Sequence, residues 1–231
     1  MSTTNAASGA QPALRAMLAL TFSTGVVDAV GYLGLNRVFA GNMTGNVVVL
    51  GMSLSGAGHL PVLGPTLALA GFLTGAAIAG RALRGYGSGW TRMTTILLWT
   101  VAVILSAVTV TLASLHHPPH AVDLLITTAL GLAMGAQAGT ARRVGVPDVT
   151  TVVVTSTITG LAADSWFGGR TGTHTKRRAT AAIMIIAGAG LGALVLRWHL
   201  WAALAIAALV TIAVAEHETW SRRRREPVDL E

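Results

Sequence analysis

The chemistry open to this sequence depends on a few polar side chains set inside long apolar stretches. Asp28 is the only acidic residue in the body of such a stretch, since Asp123 and Asp164 lie at segment edges. A carboxylate at that depth costs about 2.5 to 3.5 kcal/mol on insertion scales, so we expect it to face protein or water. It would suit proton coupling or a cation site. The alternatives are a hydrogen bond that packs two helices together and a countercharge to an Arg.

A second candidate is the run Asn-Met-Thr-Gly-Asn from Asn42 to Asn46, early in the second apolar stretch. Asn and Thr favour helix caps and Gly permits close backbone approach. The run could therefore break a helix inside the membrane and leave backbone N–H groups facing a ligand. Equally, its small residues could serve only to pack this stretch tightly against its neighbours.

The second half of the chain offers a counterpart to these residues. Gln137 is the polar side chain of the fifth apolar stretch, and the run 153–157 corresponds to the run 42–46 at an offset of 111. The predicted solute or ion site comprises Asp28, Asn42, Thr44, Gly45, Asn46, Gln137, Thr155 and Thr157. Arg142, Arg143 and Asp148 precede the second run, where they either guard a mouth that attracts anions or only set the topology.

The composition places these residues in a membrane protein. Of the 231 residues 52% are hydrophobic and 11% are charged, whereas soluble domains carry roughly 25% charged residues. The basic residues fall in short clusters and not along one stripe, so no nucleic-acid partner is expected. The chain has no Cys and no hydrolase, zinc-protease or phosphate-loop motif. We therefore expect no enzyme activity, no cofactor and no bound metal.

Eight apolar segments of 18 to 23 residues must position the site, at 13–35, 38–58, 62–83, 93–115, 121–141, 146–165, 179–196 and 200–217. Each is close to the ~20 residues that cross ~30 Å of hydrocarbon. The first four resemble the last four in order: a polar-bearing segment, a polar run, a glycine-rich segment and an aliphatic one. This pattern predicts a duplication, with halves at about 13–115 and 121–217.

The basic residues decide which segments cross. If all eight crossed, nine cations would lie inside and seven outside, which favours neither orientation. If segments 38–58 and 146–165 return to the side they entered, fourteen lie inside and only Arg37 and Arg197 outside. The positive-inside rule favours this arrangement. The prediction is an all-α membrane helix bundle with six spans, two re-entrant or broken helices, an inverted 3+3 repeat and both termini cytoplasmic.

Residues 1–12 are expected to form a disordered tail and 218–231 a basic cytoplasmic tail, on either side of one transmembrane domain, 13–217. The stretches Gly25 to Ala29, Phe39 to Asn46, Met134 to Gln137 and Arg142 to Thr151 resemble the YoaK family of small bacterial inner-membrane proteins. That family is a domain of unknown function with about six spans. The resemblance therefore implies the architecture and a bacterial plasma-membrane location, and it leaves the activity open.

Two functions are compatible with these features. The first is a secondary transporter or channel for a small solute, with proton coupling through Asp28. The second is a membrane scaffold or regulatory subunit that does not transport and whose glycine-rich faces bind another membrane protein. The expected partners are the lipid bilayer, an unidentified small solute or ion and, through the same glycine faces, a second copy of the chain.

Overall fold

The computed structural model describes residues 3–35, 37–56, 60–115, 118–146, 154–163 and 175–224, with side-chain environments from residue 11 onward except at 154–157. These ranges contain helices and no strand, so the all-helical prediction is confirmed. The helices are α1 (Thr3–Gly34), α2 (Met43–Leu54), α3 (Leu63–Ala82), α4 (Arg92–Ser114), α5 (His120–Val144), α6 (Val154–Ala163), α7 (Thr175–Leu196) and α8 (Leu200–Arg223).

Six helices are long and apolar enough to cross a bilayer, so the chain is a multi-pass membrane protein. They are α1, over Gln11–Gly34, together with α3, α4, α5, α7 and α8. By contrast α2 has 12 residues and α6 has 10, which makes them about 18 and 15 Å long. The length of α2 falls short of the ~30 Å of a hydrocarbon core, whereas α6 is described over 154–163 alone.

The first helices of the two halves, α1 and α5, run antiparallel. The side chain of Gln137 on α5 contacts Thr24 on α1. Thr127, which precedes Gln137 on α5, and Gly31, which follows Thr24 on α1, line the same small cavity. Residue numbers therefore fall along α5 as they rise along α1.

Each of these two helices also has a parallel partner from the other half, packed closely against it through glycines. The contacting pairs are Phe22 with Gly188 and Ala29 with Gly192 between α1 and α7, and Leu132 with Gly75 and Gly139 with Ala79 between α5 and α3. In both interfaces the residue numbers rise together. Small residues permit this approach, which is how helices associate where lipid removes the hydrophobic driving force.

These directions determine the path of the chain. Because α5 opposes α1 and α3 is parallel to α5, α3 opposes α1, and the chain between them returns to the face that it left. The same reasoning applies to α5 and α7, so α7 begins at the face where α5 ends. Segment 38–58, which the structure describes over 38–56, therefore does not cross. Twelve described basic residues lie at the face where α1 begins: Arg15, Arg81, Arg84, Arg92, Arg142, Arg143, Lys176, Arg177, Arg178, Arg222, Arg223 and Arg224.

The helix bounds differ from the expected ones at both ends of the chain. α1 begins at Thr3, so residues 3–12, predicted as a disordered tail, continue the helix with Pro12 inside it. α8 runs to Arg223, six residues beyond the predicted end of the transmembrane domain. In both places polar residues extend a helix past its apolar stretch. Hydropathy does not report this continuation, because it measures side chains, whereas the helix is continued by backbone hydrogen bonds.

α1 and α5 lie at the centre of the bundle. Within the most apolar 18-residue windows, 72% of α1 and 50% of α5 are buried, against 22% of α7. The core between them and α4 and α8 is made of aliphatic residues, among them Val26, Leu105, Leu130, Met134 and Leu204. Polar residues on the inner faces of α1 and α5 are therefore enclosed by protein and not by lipid.

Candidate functional site

The chain between α1 and α2 folds back along α1 into the bundle. Val38 donates its backbone N–H to the Gly31 carbonyl at 3.3 Å, and a Cβ on Gly41 would lie 2.7 Å from the Thr24 methyl group. Thr24 precedes the end of α1 at Gly34 by ten residues, or about 15 Å along the axis. Residues 38–41 thus carry non-helical backbone to the middle of the bundle.

Asp28 binds this descending segment. Its Oδ1 accepts the backbone N–H groups of Ala40 at 2.9 Å and of Gly41 at 2.7 Å. The residue as a whole is 9% exposed. No basic side chain pairs with it among those whose positions are described, and its partners are the backbone N–H groups of Ala40 and Gly41, together with that of Asn42. At membrane depth every backbone N–H requires such an acceptor, and Asp28 supplies it.

Asn46 closes the segment from the other side. Its Oδ1 accepts the backbone N–H of Phe39 at 2.9 Å, and its Nδ2 donates to the Phe39 carbonyl at 2.6 Å. The side chain is 1% exposed. Both halves of the amide are thus occupied by one residue of the segment, which leaves Asn46 a structural role in this conformation.

The other residues of the polar run begin α2. Asn42 caps the helix through its Oδ1, which accepts the backbone N–H of Gly45 at 3.4 Å. A Cβ on Gly45 would lie 2.8 Å from the ring of Phe39, so only Gly admits that ring. The side chains of Asn42 and Thr44 are exposed on the protein surface. The N-terminus of α2, where the helix dipole is positive, therefore begins close to the Asp28 carboxylate.

Gln137 lies on the other side of Thr24 from this segment. Its Nε2 donates to Thr24 Oγ1 at 3.1 Å and approaches the Leu20 carbonyl at 3.4 Å. The side chain is fully buried, and its Oε1 has no hydrogen-bond partner. An amide oxygen without a partner in a dry interior costs about 1 to 3 kcal/mol, so it is an unused acceptor held at a price in stability.

Thr24 lies between Asp28 and Gln137, the predicted polar residues of the two halves, and it was not among the residues predicted from the sequence. Its Oγ1 donates to the Leu20 carbonyl at 2.9 Å and accepts from Gln137, while its methyl group lies beside Gly41. The i, i+4 spacing of Thr24 and Asp28 was the available signal, because it places both on one face of a helix. The chain thus brings Asp28 and Gln137 to neighbouring turns around one threonine.

Arg142 and Arg143, which were also predicted, stand apart from this cluster. Arg143 donates to the Tyr86 carbonyl, and its own carbonyl accepts the N–H of Gly89 at 3.3 Å, so it anchors the α3–α4 connection. Arg142 is exposed. Asp148 lies outside the described residues, as do the side chains of Thr155 and Thr157, so their membership of the site stays a prediction.

The chemistry of the cluster is that of an acceptor site. Within the buried seam of Thr24, Asp28 and Gln137 the donors are already bonded, and the carboxylate and the Gln137 Oε1 retain accepting capacity. No group of three or more His, Cys, Asp or Glu side chains that could hold a metal ion occurs in the described ranges. Such an arrangement fits ligands that donate hydrogen bonds or carry positive charge.

Known proteins resemble this chain in sequence. Over 147 residues it is 31% identical to the UPF0700 transmembrane protein YoaK of Bacillus subtilis (strain 168), an alignment covering 63% of this chain and 64% of that protein's length. No solved structure matches. A family described as a protein of unknown function, DUF1275, matches residues 16–216. The resemblance to YoaK is confirmed, and the chain belongs to the DUF1275 family.

Proposed function

We propose that this protein is a secondary transporter or channel for a small solute. The observation that carries the proposal is the non-helical segment 38–41, which reaches the level of Thr24 beside a buried carboxylate. Broken segments whose helix termini meet polar groups near the midplane are the usual plan of secondary-transporter sites. Catalysis forms no part of the proposal.

The two halves, α1–α4 and α5–α8, are proposed to be an inverted repeat. If the two halves are exchanged, the α1–α7 interface becomes the α5–α3 interface. Phe22 then corresponds to Leu132, and Gly188 corresponds to Gly75. The offsets are 110 residues for the first pair and 113 for the second. The antiparallel directions of α1 and α5 support the inversion, and halves that rock against each other could open the seam to either face.

The orientation is proposed from charge. The face at which α1 begins and α8 ends carries twelve described basic residues, whereas the opposite face carries Arg37 and Arg197. The positive-inside rule then supports cytoplasmic termini in a bacterial plasma membrane. Segment 38–41 would accordingly enter from the outer side.

The experiment that tests transport uses solid-supported-membrane electrophysiology on proteoliposomes. Libraries of amines, amino acids, sugars and inorganic ions are applied as concentration jumps, at two pH values because Asp28 is proposed to couple protons. A solute-specific current that Asp28→Asn abolishes, while Asp123→Asn retains it, supports the proposal. Currents that are equal in wild type and in Asp28→Asn contradict it.

A scaffold or regulatory role is the second candidate, and one observation favours it. The outward face of α2 is exposed at Val47, Val48, Met52 and Leu54. The glycine faces that suggested partner binding are less suited to it, because Gly71 and Gly135 are buried between α3 and α5. Charged substitutions on the α2 face would then reduce co-purification of a partner without changing any current.

A further inference from the structure

We propose that the seam between Asp28 and Gln137 binds a compact monovalent cation, which is either an inorganic ion or a small ammonium group. This inference names a ligand class for the proposed transporter, and its physiological meaning rests on that proposed function. The buried geometry supplies the argument. Gln137 binds Thr24, and Asp28 lies one helical turn after Thr24 on α1, so two oxygen acceptors, the Asp28 carboxylate and the unpartnered Gln137 Oε1, belong to neighbouring turns of the bundle.

The donors of the seam are already committed to the protein. Thr24 donates to Leu20, and Gln137 Nε2 donates to Thr24 and to Leu20. The backbone N–H groups of residues 40 and 41 donate to Asp28. A ligand that itself needs donors, such as an anion or a carbonyl compound, would find none there. A cation or an ammonium group would find acceptors.

The net charge selects a monovalent ion. Asp28 is one carboxylate, and no second acidic group or basic side chain lies against it among the positioned residues. In a low-dielectric interior a site is stable when its charges cancel, so a single negative charge matches a single positive one. A divalent ion would leave an uncompensated charge in the bundle.

Polar groups also provide an approach to the seam. The residue Asp28 is 9% exposed, whereas Gln137 is fully enclosed. The side chains of Asn42 and Thr44 are exposed at the deep end of α2. A cation could therefore meet the carboxylate first and reach Gln137 only after the halves move.

Thermal unfolding of the purified full chain in detergent tests the inference. Sodium, potassium, ammonium and methylammonium chlorides are compared with N-methylglucamine chloride at equal ionic strength, so that screening is constant. At ten times the dissociation constant the preferred ion should raise the unfolding temperature by about 3 to 6 °C. The ion that gives the largest rise distinguishes an inorganic cation from an ammonium group.

Three variants locate the effect. Asp28→Asn, which keeps an acceptor for the two backbone donors, should abolish the rise. Gln137→Met should weaken affinity about tenfold, the effect of one hydrogen bond to a charged ligand. Asp123→Asn, at the outer end of α5, should leave the rise unchanged. No ion-specific rise in wild type, or a rise that persists in Asp28→Asn, would overturn the inference.

This readout separates the inference from the transport proposal. Ion binding with no solute current in proteoliposomes would retain the cation site and refute transport. Solute currents without ion-specific stabilisation would retain transport and refute the cation site.

Discussion

Asp28 on α1 and Gln137 on α5 are buried polar side chains close to the contact between these two helices. They differ in how many of their hydrogen-bonding atoms have a partner. Asp28 accepts two backbone N–H groups from the segment that descends beside it. Gln137 donates to Thr24 and leaves its Oε1 without a partner. The helices that carry these residues are packed alike, each against a parallel helix of the other half through glycine contacts.

The contrast separates a stabilising role from a ligand-binding one. A polar group that binds non-helical backbone at membrane depth is required for the fold, because lipid offers no replacement partner. A buried acceptor with no partner lowers stability, a cost that the proposed ligand would offset when it binds. Asp28 can do both, whereas Gln137 binds no non-helical backbone and keeps one acceptor free for the second role.

The largest predicted effect tests whether the two glycine interfaces are equivalent. Gly75→Ala and Gly188→Ala each place a methyl group against a backbone carbonyl, of Leu132 and of Phe22 respectively. Each should lower the free energy of unfolding by about 3 kcal/mol, because backbone cannot move aside as a side chain does. Thermal or denaturant unfolding in detergent measures it.

Gly80→Ala is the matched control for that pair. A Cβ at Gly80 meets nothing within 4 Å, so the alanine should be neutral or stabilise the helix by up to about 1 kcal/mol. If Gly75→Ala were as mild as Gly80→Ala while Gly188→Ala remained costly, the two interfaces would not be equivalent.

A smaller effect is expected for Asp28→Ala. The change leaves the N–H groups of Ala40 and Gly41 without an acceptor, which should cost about 2 kcal/mol in the free energy of unfolding. Asp28→Asn retains a side-chain oxygen and should cost clearly less. Equal losses in the two variants, measured by the same unfolding assay, would mean that the carboxylate does not support the descending segment.

Much of the architecture was predictable from residue type and spacing, while the interior of the site was not. The distribution of Arg predicted that segment 38–58 returns to the face where it entered, because charge records topology. Asp28 and Asn46 were identified as the polar side chains of their segments. Their partners, the backbones of residues 39–41, could not be predicted, since any residue type supplies the same N–H and C=O groups.

Other features escaped the sequence for related reasons. Thr24 resembles the other threonines of α1 until the partner helix is known, and hydroxyls in helices commonly bond to their own backbone, as Thr21 does to Met17. Glycine runs indicate close helix contacts without naming the neighbour, so the pairing of α3 with α5 and of α7 with α1 required the structure. Exposure of Asn42 and Thr44 on one side of α2 had no sequence signal.

The smallest predicted effect concerns the other member of the comparison. Gln137→Met removes the two donor bonds to Thr24 and Leu20, the second of them long at 3.4 Å, and also removes the unpartnered acceptor. The change in the free energy of unfolding should therefore stay within about 1 kcal/mol. Thr140→Val is the control, since that hydroxyl bonds only to the Ala136 carbonyl of its own helix. If Gln137→Met destabilised the protein as much as Asp28→Ala, Gln137 would be a structural residue too.

The return of segment 38–58 to the face where it entered is the central structural claim, and single-cysteine labelling in intact cells measures it directly. The chain contains no Cys, so the unmodified protein provides a silent background. Ser55→Cys, at the end of α2, should react with a membrane-impermeant maleimide from outside. Gly87→Cys, in the α3–α4 connection, should react only after the cells are permeabilised. Labelling of Gly87→Cys in intact cells would contradict the account.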